Sequence, residues 1–320
     1  MQITVTDKNN NKMHQVKGLE GYEIDNSMDI PAGKFSLILS NAAGALAKIF
    51  RPNFIVQISE EDTIILKGSI DVVSVITGET GSFVQLSGRS MAAVLLDNDA
   101  APQTYQSLNL EGFIKKIAEP YGFTSFEVDS TAGIAKIVVD DGMSEWDMIN
   151  REAYSELGMI PWVAADGTIV CKKTDLNADA DYRFGNDVEN ATHWEELKIR
   201  DHLTDVKSEL WGKNYQMNDF VVEKDADLIA AGFKRRSIIK YSTETREQIG
   251  KKLKHELKER KKGCYEISLT VRGSKSFLPG KIAYLHDTIN GIDGKFLVAG
   301  VTQTKDVNGT KTSIRLWKDL

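Results

Sequence analysis

Asp140, Asp141 and Glu145 are carboxylates whose proximity could supply the acid and base of glycoside hydrolysis. Adjacent residues of a strand point to opposite faces, so Asp140 and Asp141 cannot easily face one sugar. The group also lies beside a predicted helix start, where acidic side chains are common because they interact favourably with the helix dipole. The sequence therefore favours a structural role for these carboxylates and predicts no catalytic residue.

Histidines and a run of aspartates are the candidate metal ligands. The chain has five histidines, His14, His193, His202, His255 and His286. None of them shows H-x-x-x-H or another ligand spacing. Segment 175–181 resembles the start of a calcium loop, but Ala180 replaces the required glycine and Asn186 replaces the bidentate glutamate. We expect an exposed acidic linker over residues 175–190, with calcium binding in segment 175–181 as the alternative, and no metal site.

Motifs for nucleophilic catalysis or phosphate binding are missing from the sequence. It contains no G-x-S-x-G, no P-loop pattern and no Cys–His pairing. Cys171 and Cys264 are far apart and have no metal or redox spacing, so they are interpreted as small buried residues or free thiols. We therefore expect neither enzymatic activity nor a cofactor.

Residues 234–262 carry a strong excess of positive charge. They include twelve Lys or Arg and four Glu, a net charge of +8, and the whole chain has −6, so the rest carries −14. A basic helix can bind phosphates, but Tyr241 is the one aromatic residue here and offers no platform for stacking bases. We expect an electrostatic protein contact, with a solvated face as the alternative. The candidate contact residues are Lys251, Lys254, Lys258, Arg235 and Arg236.

Length and composition limit the class of protein. A chain of 320 residues can form two or three domains, and its 41% apolar content is ordinary for globular proteins. The modest negative charge argues against a nucleic-acid binder. No apolar run approaches membrane-spanning length and the N-terminus lacks an apolar signal region, so we expect no membrane insertion and no signal peptide.

Two amphipathic helices are predicted in residues 98–177. Asn109 can cap a helix with Leu110, Phe113, Ile114 and Ile117 on one face. A second helix begins after Ser144, with Asp147 at the third position as in a capping box. These helices lie between β-rich regions, so the predicted fold class is α+β, mainly β. The predicted domains are 1–97, 98–177 and 178–320, the last with a helical insertion around 243–262. We expect this third helix to be capped near Thr243, with Ile249, Leu253 and Leu257 as its inner stripe.

The β-rich regions contain an internal repeat, 52–89 and 279–318. Both copies begin with a proline, continue into an alternating strand that starts at Ile55 or Ile282, and then follow the order glycine, strand, turn, strand. A shared order of signals indicates duplication. The alternative is two unrelated β-meanders that share turn chemistry by default.

The two central strands of the repeat give a specific structural prediction. One reads Gly-x-Ile-x-Val-x-x-Val from Gly68 and the other reads Gly-x-Phe-x-Val-x-x-Val from Gly294. When the copies are superposed, we expect Gly68 to coincide with Gly294, and Val72 to coincide with Val298.

Five stretches in this order carry a resemblance to a known family. They are GRSMAAVLLDNDA, SLNLEGFIKKIAEPYGF, SEWDMINREAYSELGMIPWVAADGTIVCKK, KRRSIIKYSTETREQIGKKLKHELKERKK and GKFLVAGVTQTKDVNGTKTSIRLW. The chain from about Gly21 onward resembles the baseplate hub proteins of contractile phage tails, of the Mu-like and PBSX-like prophage type. R-type bacteriocins carry relatives of these proteins.

The resemblance implies a homotrimer in which each subunit has two similar tube-type β-barrel domains and a smaller domain between them. Three subunits would present six barrels and adapt a sixfold tail tube to a threefold spike. The implied partners are the tail tube protein, the spike protein and other baseplate proteins, with tape-measure protein or DNA passing through a central channel. The basic helix would then contact the acidic remainder of the next subunit.

The expected function is therefore a structural, non-enzymatic hub in the baseplate of a virion tail or tail-like particle, made in the bacterial cytoplasm. Two other functions remain open: a peptidoglycan-degrading tail enzyme and a carbohydrate-binding tail module. The particle could belong to an infectious phage, a defective prophage or a bacteriocin.

Overall fold

The computed structural model describes residues 1–41, 44–79, 81–129, 133–139, 142–204, 206–242, 244–262 and 264–318. The first part of the chain contains seven strands and two short helices among these residues. They are β1 (Gln2–Thr6), β2 (Met13–Gln15), β3 (Leu19–Ser27), β4 (Lys34–Ser40), α1 (Leu46–Ile49), β5 (Ile55–Glu60), β6 (Thr63–Gly78), β7 (Gly81–Ser90) and α2 (Ala93–Asp97).

The middle part combines short strands with two longer helices. Its elements are β8 (Thr104–Asn109), α3 (Leu110–Ala118), β9 (Phe126–Val128), β10 (Gly133–Val138), α4 (Glu145–Leu157), β11 (Trp162–Val163) and β12 (Ile169–Cys171). A turn of 3₁₀ helix, Glu119–Tyr121, follows α3.

The last part returns to strands around one long helix. Its elements are β13 (Tyr182–Gly185), β14 (Glu196–Asp201), β15 (Glu209–Asn214), β16 (Val221–Lys224), α5 (Ala226–Ala230), β17 (Arg236–Tyr241), α6 (Arg246–Glu259), β18 (Tyr265–Arg272), β19 (Ile282–Asp287), β20 (Ile292–Asp306) and β21 (Gly309–Trp317). The predicted class, α+β and mainly β, is confirmed.

A five-stranded antiparallel unit occurs twice in the chain. The first has the strand order β3-β4-β7-β6-β5 and the second has β14-β18-β21-β20-β19. In both units the second strand alternates buried apolar residues with exposed or half-buried ones, which gives it one face for a core. The buried residues are Phe35, Leu37 and Leu39 in β4, and Ile267, Leu269 and Val271 in β18. The repeated order supports duplication over two unrelated meanders.

One continuous sheet joins the two units. β20 pairs with β3 over Gly300–Lys305 and Tyr22–Ser27, so the edge of the second unit continues into the first. The cores of the two units are nevertheless separate clusters of buried side chains. Among the described residues no strand pairing closes either unit into a barrel, so closed barrels stay a prediction.

Matching β-bulges establish how the two units align. The pairing of β6 with β7 shifts register between Ile70 and Val72, and that of β20 with β21 shifts between Val298 and Gly300. Ile70 therefore corresponds to Val298, and both are buried, whereas Val72 is 52% exposed. The predicted coincidence of Val72 with Val298 is wrong by two residues.

The predicted glycine match is wrong for the same reason. In the bulge alignment Gly68 corresponds to Phe296, and Leu66 corresponds to Gly294. A Cβ on Gly68 would overlap the backbone carbonyl of Arg89, whereas a Cβ on Gly294 would meet one ring atom of Phe296 at 4.0 Å. The two glycines thus serve different purposes, and they are unsuitable as alignment markers.

The loop before the first repeated strand confirms the bulge alignment independently. The Asn53 amide donates to the Ile70 carbonyl at 2.7 Å, and the Gly280 amide donates to the Val298 carbonyl at 2.8 Å. Asn53 and Gly280 both have positive φ, 70° and 81°. Since Asn and Gly are the residues that adopt this conformation most readily, each copy has kept a residue suited to the same turn.

The middle part forms its own core, as the helical pattern predicts. The Asn109 side chain accepts from the Gly112 amide, and Ser144 and Asp147 form a capping box at the start of α4. Phe113 of α3 and Trp146 of α4 are fully buried in one cluster, which also includes Leu95 of α2.

The part of the chain that connects β14 to β18 forms a further small layer. β15 pairs with β16 and, in parallel, with β17, and α6 packs against this three-stranded sheet. The buried residues of α6, Ile249, Leu253 and Leu257, are those predicted from helical spacing. The helix is capped by Thr245 and begins at Arg246. The predicted cap at Thr243 lies outside the described residues. None of the helices within the described ranges is both long and apolar enough to span a membrane.

Candidate functional site: assembly surfaces

One face of α6 presents three lysines to solvent. Lys251, Lys254 and Lys258 are spaced at i, i+3 and i+7, so they share one side of the helix, opposite the buried stripe. Among the described residues none of the three forms an ion pair. Their charges are therefore available for a partner or for solvent.

Several other basic residues at this helix form ion pairs inside the chain. Lys252 pairs with Glu244 at 2.7 Å, and Lys261 pairs with Asp225 at 2.5 Å. Arg260 binds Glu256 one turn earlier at 2.9 Å. Lys251, Lys254 and Lys258 thus carry positive charge that no ion pair among the described residues offsets.

Arg235 and Arg236 do not join this lysine face. The Arg235 guanidinium donates to the carbonyls of Leu203 and Thr204, each at 2.8 Å. Arg236 binds Glu209 at 3.2 Å and stacks over Trp211 at 4.1 Å from the ring centre. Both arginines are exposed, but Arg235 is held by the segment after β14 and Arg236 by β15. The structure therefore separates the five predicted contact residues into two groups.

Helix α6 also contacts the middle part of the chain. The Tyr154 hydroxyl donates to Glu256 at 3.1 Å, and the Tyr154 and His255 rings meet edge to face at 5.8 Å. Burial and the nearby Glu256 charge raise the pKa of Tyr154. Burial and the Lys251 and Lys258 charges lower the pKa of His255. The basic helix is therefore held on two sides, by its own sheet and by α4.

The candidate catalytic carboxylates do not form a described pair. Asp140 and Asp141 lie outside the described residues. Glu145 is the first residue of α4 and accepts a hydrogen bond from the Tyr121 hydroxyl at 3.4 Å. Burial raises its pKa, while the tyrosine hydrogen bond opposes that shift. Its position is the helix start that the sequence indicates.

Two of the three aspartates of segment 175–181 are engaged in contacts within the chain. Asp175 accepts from the amide and side chain of Asn177, which forms a local turn. Asp181 accepts from the Ile282 amide at 2.8 Å and lies 3.6 Å from Lys281. Within the described ranges no group of three or more His, Cys, Asp or Glu side chains is arranged to hold a metal ion.

Both cysteines are free thiols in the structure. Cys171 is buried in the core of the middle part, and burial raises its pKa to about 12. A thiol with so high a pKa is not a reactive nucleophile. Cys264 is partly exposed and donates to the Arg260 carbonyl at 3.4 Å.

A cleft of about 500 Å³ lies where the three parts of the chain meet. It is bounded by the β5–β6 turn, by the β11–β12 hairpin and by residues 278–281. Glu127 pairs there with Lys172, and Asp166 accepts from the Thr168 amide. These carboxylates have structural partners, and the Trp162 ring lies against Gly280. The cleft is therefore lined by residues from all three parts of the chain.

Two free sheet edges are surface features that the sequence analysis does not identify. The outer half of β6, residues 72–78, pairs with β7 on one side, and no described strand pairs with its other side. β14 likewise pairs with β18 alone. Val72 and Val75 are 52% and 54% exposed on the first edge. The alternating valines predict a strand, but not that its edge is unpaired.

The fold is similar to those of solved tail proteins. No protein-family model matches the sequence, and no curated protein matches it. A tail protein from Neisseria meningitidis MC58 has 21% identity and a TM-score of 0.82, with 99% of this chain and 96% of that chain covered. The 43 kDa tail protein of prophage MuSo2 from Shewanella oneidensis has 16% identity and a TM-score of 0.77, with 99% and 98% covered.

A secretion-system protein is similar over a smaller share of its length. A component of the Escherichia coli type VI secretion system, itself structurally similar to T4 bacteriophage tail proteins gp27 and gp5, has 11% identity and a TM-score of 0.59. The similarity covers 95% of this chain and 74% of that one. This chain thus has the fold found in phage tail proteins and in this secretion-system component.

Proposed function

We propose that the chain is the structural hub of a contractile phage tail or tail-like particle. It acts as a homotrimeric adapter that joins a sixfold tail tube to a threefold spike around a central channel. The observation that carries this proposal is the five-stranded unit that occurs twice in one chain. Three copies of a chain with two equivalent units can present six similar surfaces while keeping closed threefold symmetry.

The fold likeness to tail proteins supports a place in the tail, and the proposal assigns a role to each predicted domain. In this proposal residues 1–97 and 178–320 are the two tube-type domains, and 98–177 is the small α/β domain between them. The helical insertion around 243–262 belongs to the second tube-type domain. The partners are the tail tube protein, the spike protein and other baseplate proteins, and tape-measure protein or DNA passes through the channel.

The lysine face of α6 has a specific role in this proposal. Lys251, Lys254 and Lys258 contact an acidic surface, for which the acidic remainder of the next subunit is the first candidate. Arg235 and Arg236 lie at the side of the same small layer and contribute charge rather than free donors, because their guanidinium groups are engaged within the chain.

Immunogold labelling of particles purified from the producing bacterium tests the proposed location. Antibody to this chain should label one end of the tail, at the baseplate, in intact particles and in isolated baseplates. Labelling along the fibres or the sheath, or particles that contain no such chain by mass spectrometry, would contradict the hub function.

The enzymatic alternative has a direct test of its own. If the chain is a structural hub, zymography on purified peptidoglycan should show no cleared band at its mass. A cleared band that is lost in a Glu145→Gln variant would instead support the tail-enzyme function. Binding to host glycans would support the carbohydrate-binding alternative.

A further inference from the structure

The junction between the two units within one chain is a complete strand-pairing interface. β20 pairs antiparallel with β3, with Gln303 opposite Ile24 and both side chains almost fully buried. The Thr302 hydroxyl donates to Asp25 at 2.8 Å across the same pair of strands. At this junction the edge strand of one unit pairs with the edge strand of the other.

The strands equivalent to those of the junction are the two free edges. The bulge alignment, Ile70 with Val298, makes the outer half of β6 the counterpart of the part of β20 that pairs with β3. Ile24 pairs with Phe35 in the first unit, and Ile199 pairs with Ile267 at the same place in the second. β14 is therefore the counterpart of β3. Among the described strands, neither the outer half of β6 nor β14 has the strand partner that its counterpart has at the internal junction.

The β6 edge has the chemistry of a surface that is covered in an assembly. From Val72 to Gly78 the sequence is VVSVITG, with no charged residue and no proline. Val72, Val75 and Ile76 are each about half exposed, at 52%, 54% and 48%. Apart from the bulge between Ile70 and Val72, this edge lacks the charges and prolines with which soluble proteins usually protect an unpaired apolar strand. Such protection is common because an unpaired apolar strand recruits other chains.

We propose that the β6 edge of one copy pairs antiparallel with the β14 edge of a second copy and reproduces the internal junction. Transferring the internal register places Val75 opposite Ile199 of the neighbouring copy, Ser74 opposite Arg200 and Ile76 opposite Lys198. Val75 and Ile199, 54% and 36% exposed, take the places of the buried pair Gln303 and Ile24. Only the number of copies in this inference rests on the proposed hub function. The register of the strand pairing follows from the duplication.

This pairing is head to tail, because two different edges of the chain meet. Such an interface forms a ring when successive rotations close and a filament when they do not. In a ring of three copies each internal β20–β3 junction would alternate with one β6–β14 junction between copies. The unpaired backbone groups of both edges would then all have partners.

Disulfide trapping in the full chain tests both the edges and the register. The variant Val75→Cys with Ile199→Cys should form covalent dimers and trimers under mild oxidation, because directly opposed residues bring their Cβ atoms within disulfide reach. The matched control is Val75→Cys with Lys198→Cys, in which the second side chain points to the other face. Each single cysteine variant controls for the native Cys171 and Cys264.

Light scattering of the same samples separates this inference from the proposed function. The edge pairing and the hub function are both supported by a mass near three times 35.6 kDa, if the Val75→Cys with Ile199→Cys variant also cross-links and the Val75→Cys with Lys198→Cys variant does not. A trimer mass without that disulfide, or with the disulfide in the control register, overturns the edge pairing and leaves the hub function standing. A monomer at all concentrations, with no covalent oligomer, overturns both.

Discussion

Gly158 is the residue on which the docking of α6 against α4 depends most directly. It ends α4 with φ of 68°, and a Cβ at this position would overlap the His255 imidazole. The absence of a side chain therefore allows both the helix end and the contact between the helices. The sequence predicts the first role, because glycine commonly ends helices. It gives no sign of the second, which depends on a residue 97 positions away.

Gly158→Ala should lower the free energy of unfolding more than Gly122→Ala. Both glycines have positive φ, 68° and 89°, so each substitution costs about 1–2 kcal/mol of backbone strain. Gly122 has no atom within 4 Å of an added Cβ, whereas Gly158 faces His255, and that overlap adds about 1–3 kcal/mol. Urea denaturation of both variants measures the difference, and equal losses would show that the His255 contact is unimportant.

His255 should make stability depend on pH near neutrality. Burial, with the Lys251 and Lys258 charges, holds its pKa below the ordinary value of 6.5 in the folded chain. Between pH 6.5 and the lower pKa that His255 has in the folded chain, the unfolded chain binds more protons than the folded chain. The free energy of unfolding therefore falls as the pH decreases through this range. From about pH 7.5 to about pH 5, the urea midpoint should fall less in His255→Gln than in the unsubstituted chain. An equal loss in both would contradict this assignment.

The lysine face of α6 should act in assembly and not in folding. Reversing Lys251, Lys254 and Lys258 to Glu should leave the thermal midpoint of the isolated chain nearly unchanged, because they form no ion pair in the described chain. It should weaken trimerisation at low salt, and added salt should reduce the difference because it screens surface charge. A matched reversal of the exposed Lys12, Lys17 and Lys311 is the control. Normal assembly of the α6 variant would contradict the proposed contact.

At the scale of elements, local signals in the sequence predict what is locally determined. The caps at Asn109 and Ser144 and the buried stripe of α6 follow from residue type and helical spacing, and all three are confirmed. The Arg235 contacts with distant carbonyls were not predictable, because no spacing rule relates Arg235 to Leu203.

Two strands escape prediction because other strands create their surroundings. β13 lies within the predicted acidic linker and is only four residues long, yet it pairs in parallel with β19. β14 is largely exposed and shows no clear alternation of buried and exposed positions. Both are strands because a neighbour supplies hydrogen-bond partners. That information lies outside the segment itself.

The repeat was detectable in the sequence, but its register was not. A β-bulge inserts a residue that cannot be distinguished from its neighbours in the sequence, so glycines were the natural markers. In this chain they are misleading, because Gly68 and Gly294 occupy different positions in their units.

The corrected register predicts unequal effects of neighbouring substitutions in β6. Ile70→Ala should lower the free energy of unfolding by about 2–5 kcal/mol, because Ile70 is buried in the first core. Val72→Ala should change it by at most about 0.5 kcal/mol in the isolated chain, since Val72 is half exposed. Chemical denaturation of both variants below the concentration for assembly measures these values. A larger loss for Val72→Ala would restore the original alignment.

At the scale of the whole molecule, two equivalent units and two free edges favour a closed assembly. The internal β20–β3 junction already joins unequal edges of the two units in one chain. The same geometry between chains would use the edges that remain. The resemblance found in the sequence implies a trimer, and the chain has the fold of solved tail proteins.

Electron microscopy of the purified chain tests the central claim, that three copies build a ring of six units, most directly. Class averages at a protein concentration well above that of assembly should show a hollow ring with threefold symmetry and six similar lobes around a central channel. Single particles of the size of one chain, or rings whose symmetry is not threefold, would contradict the account.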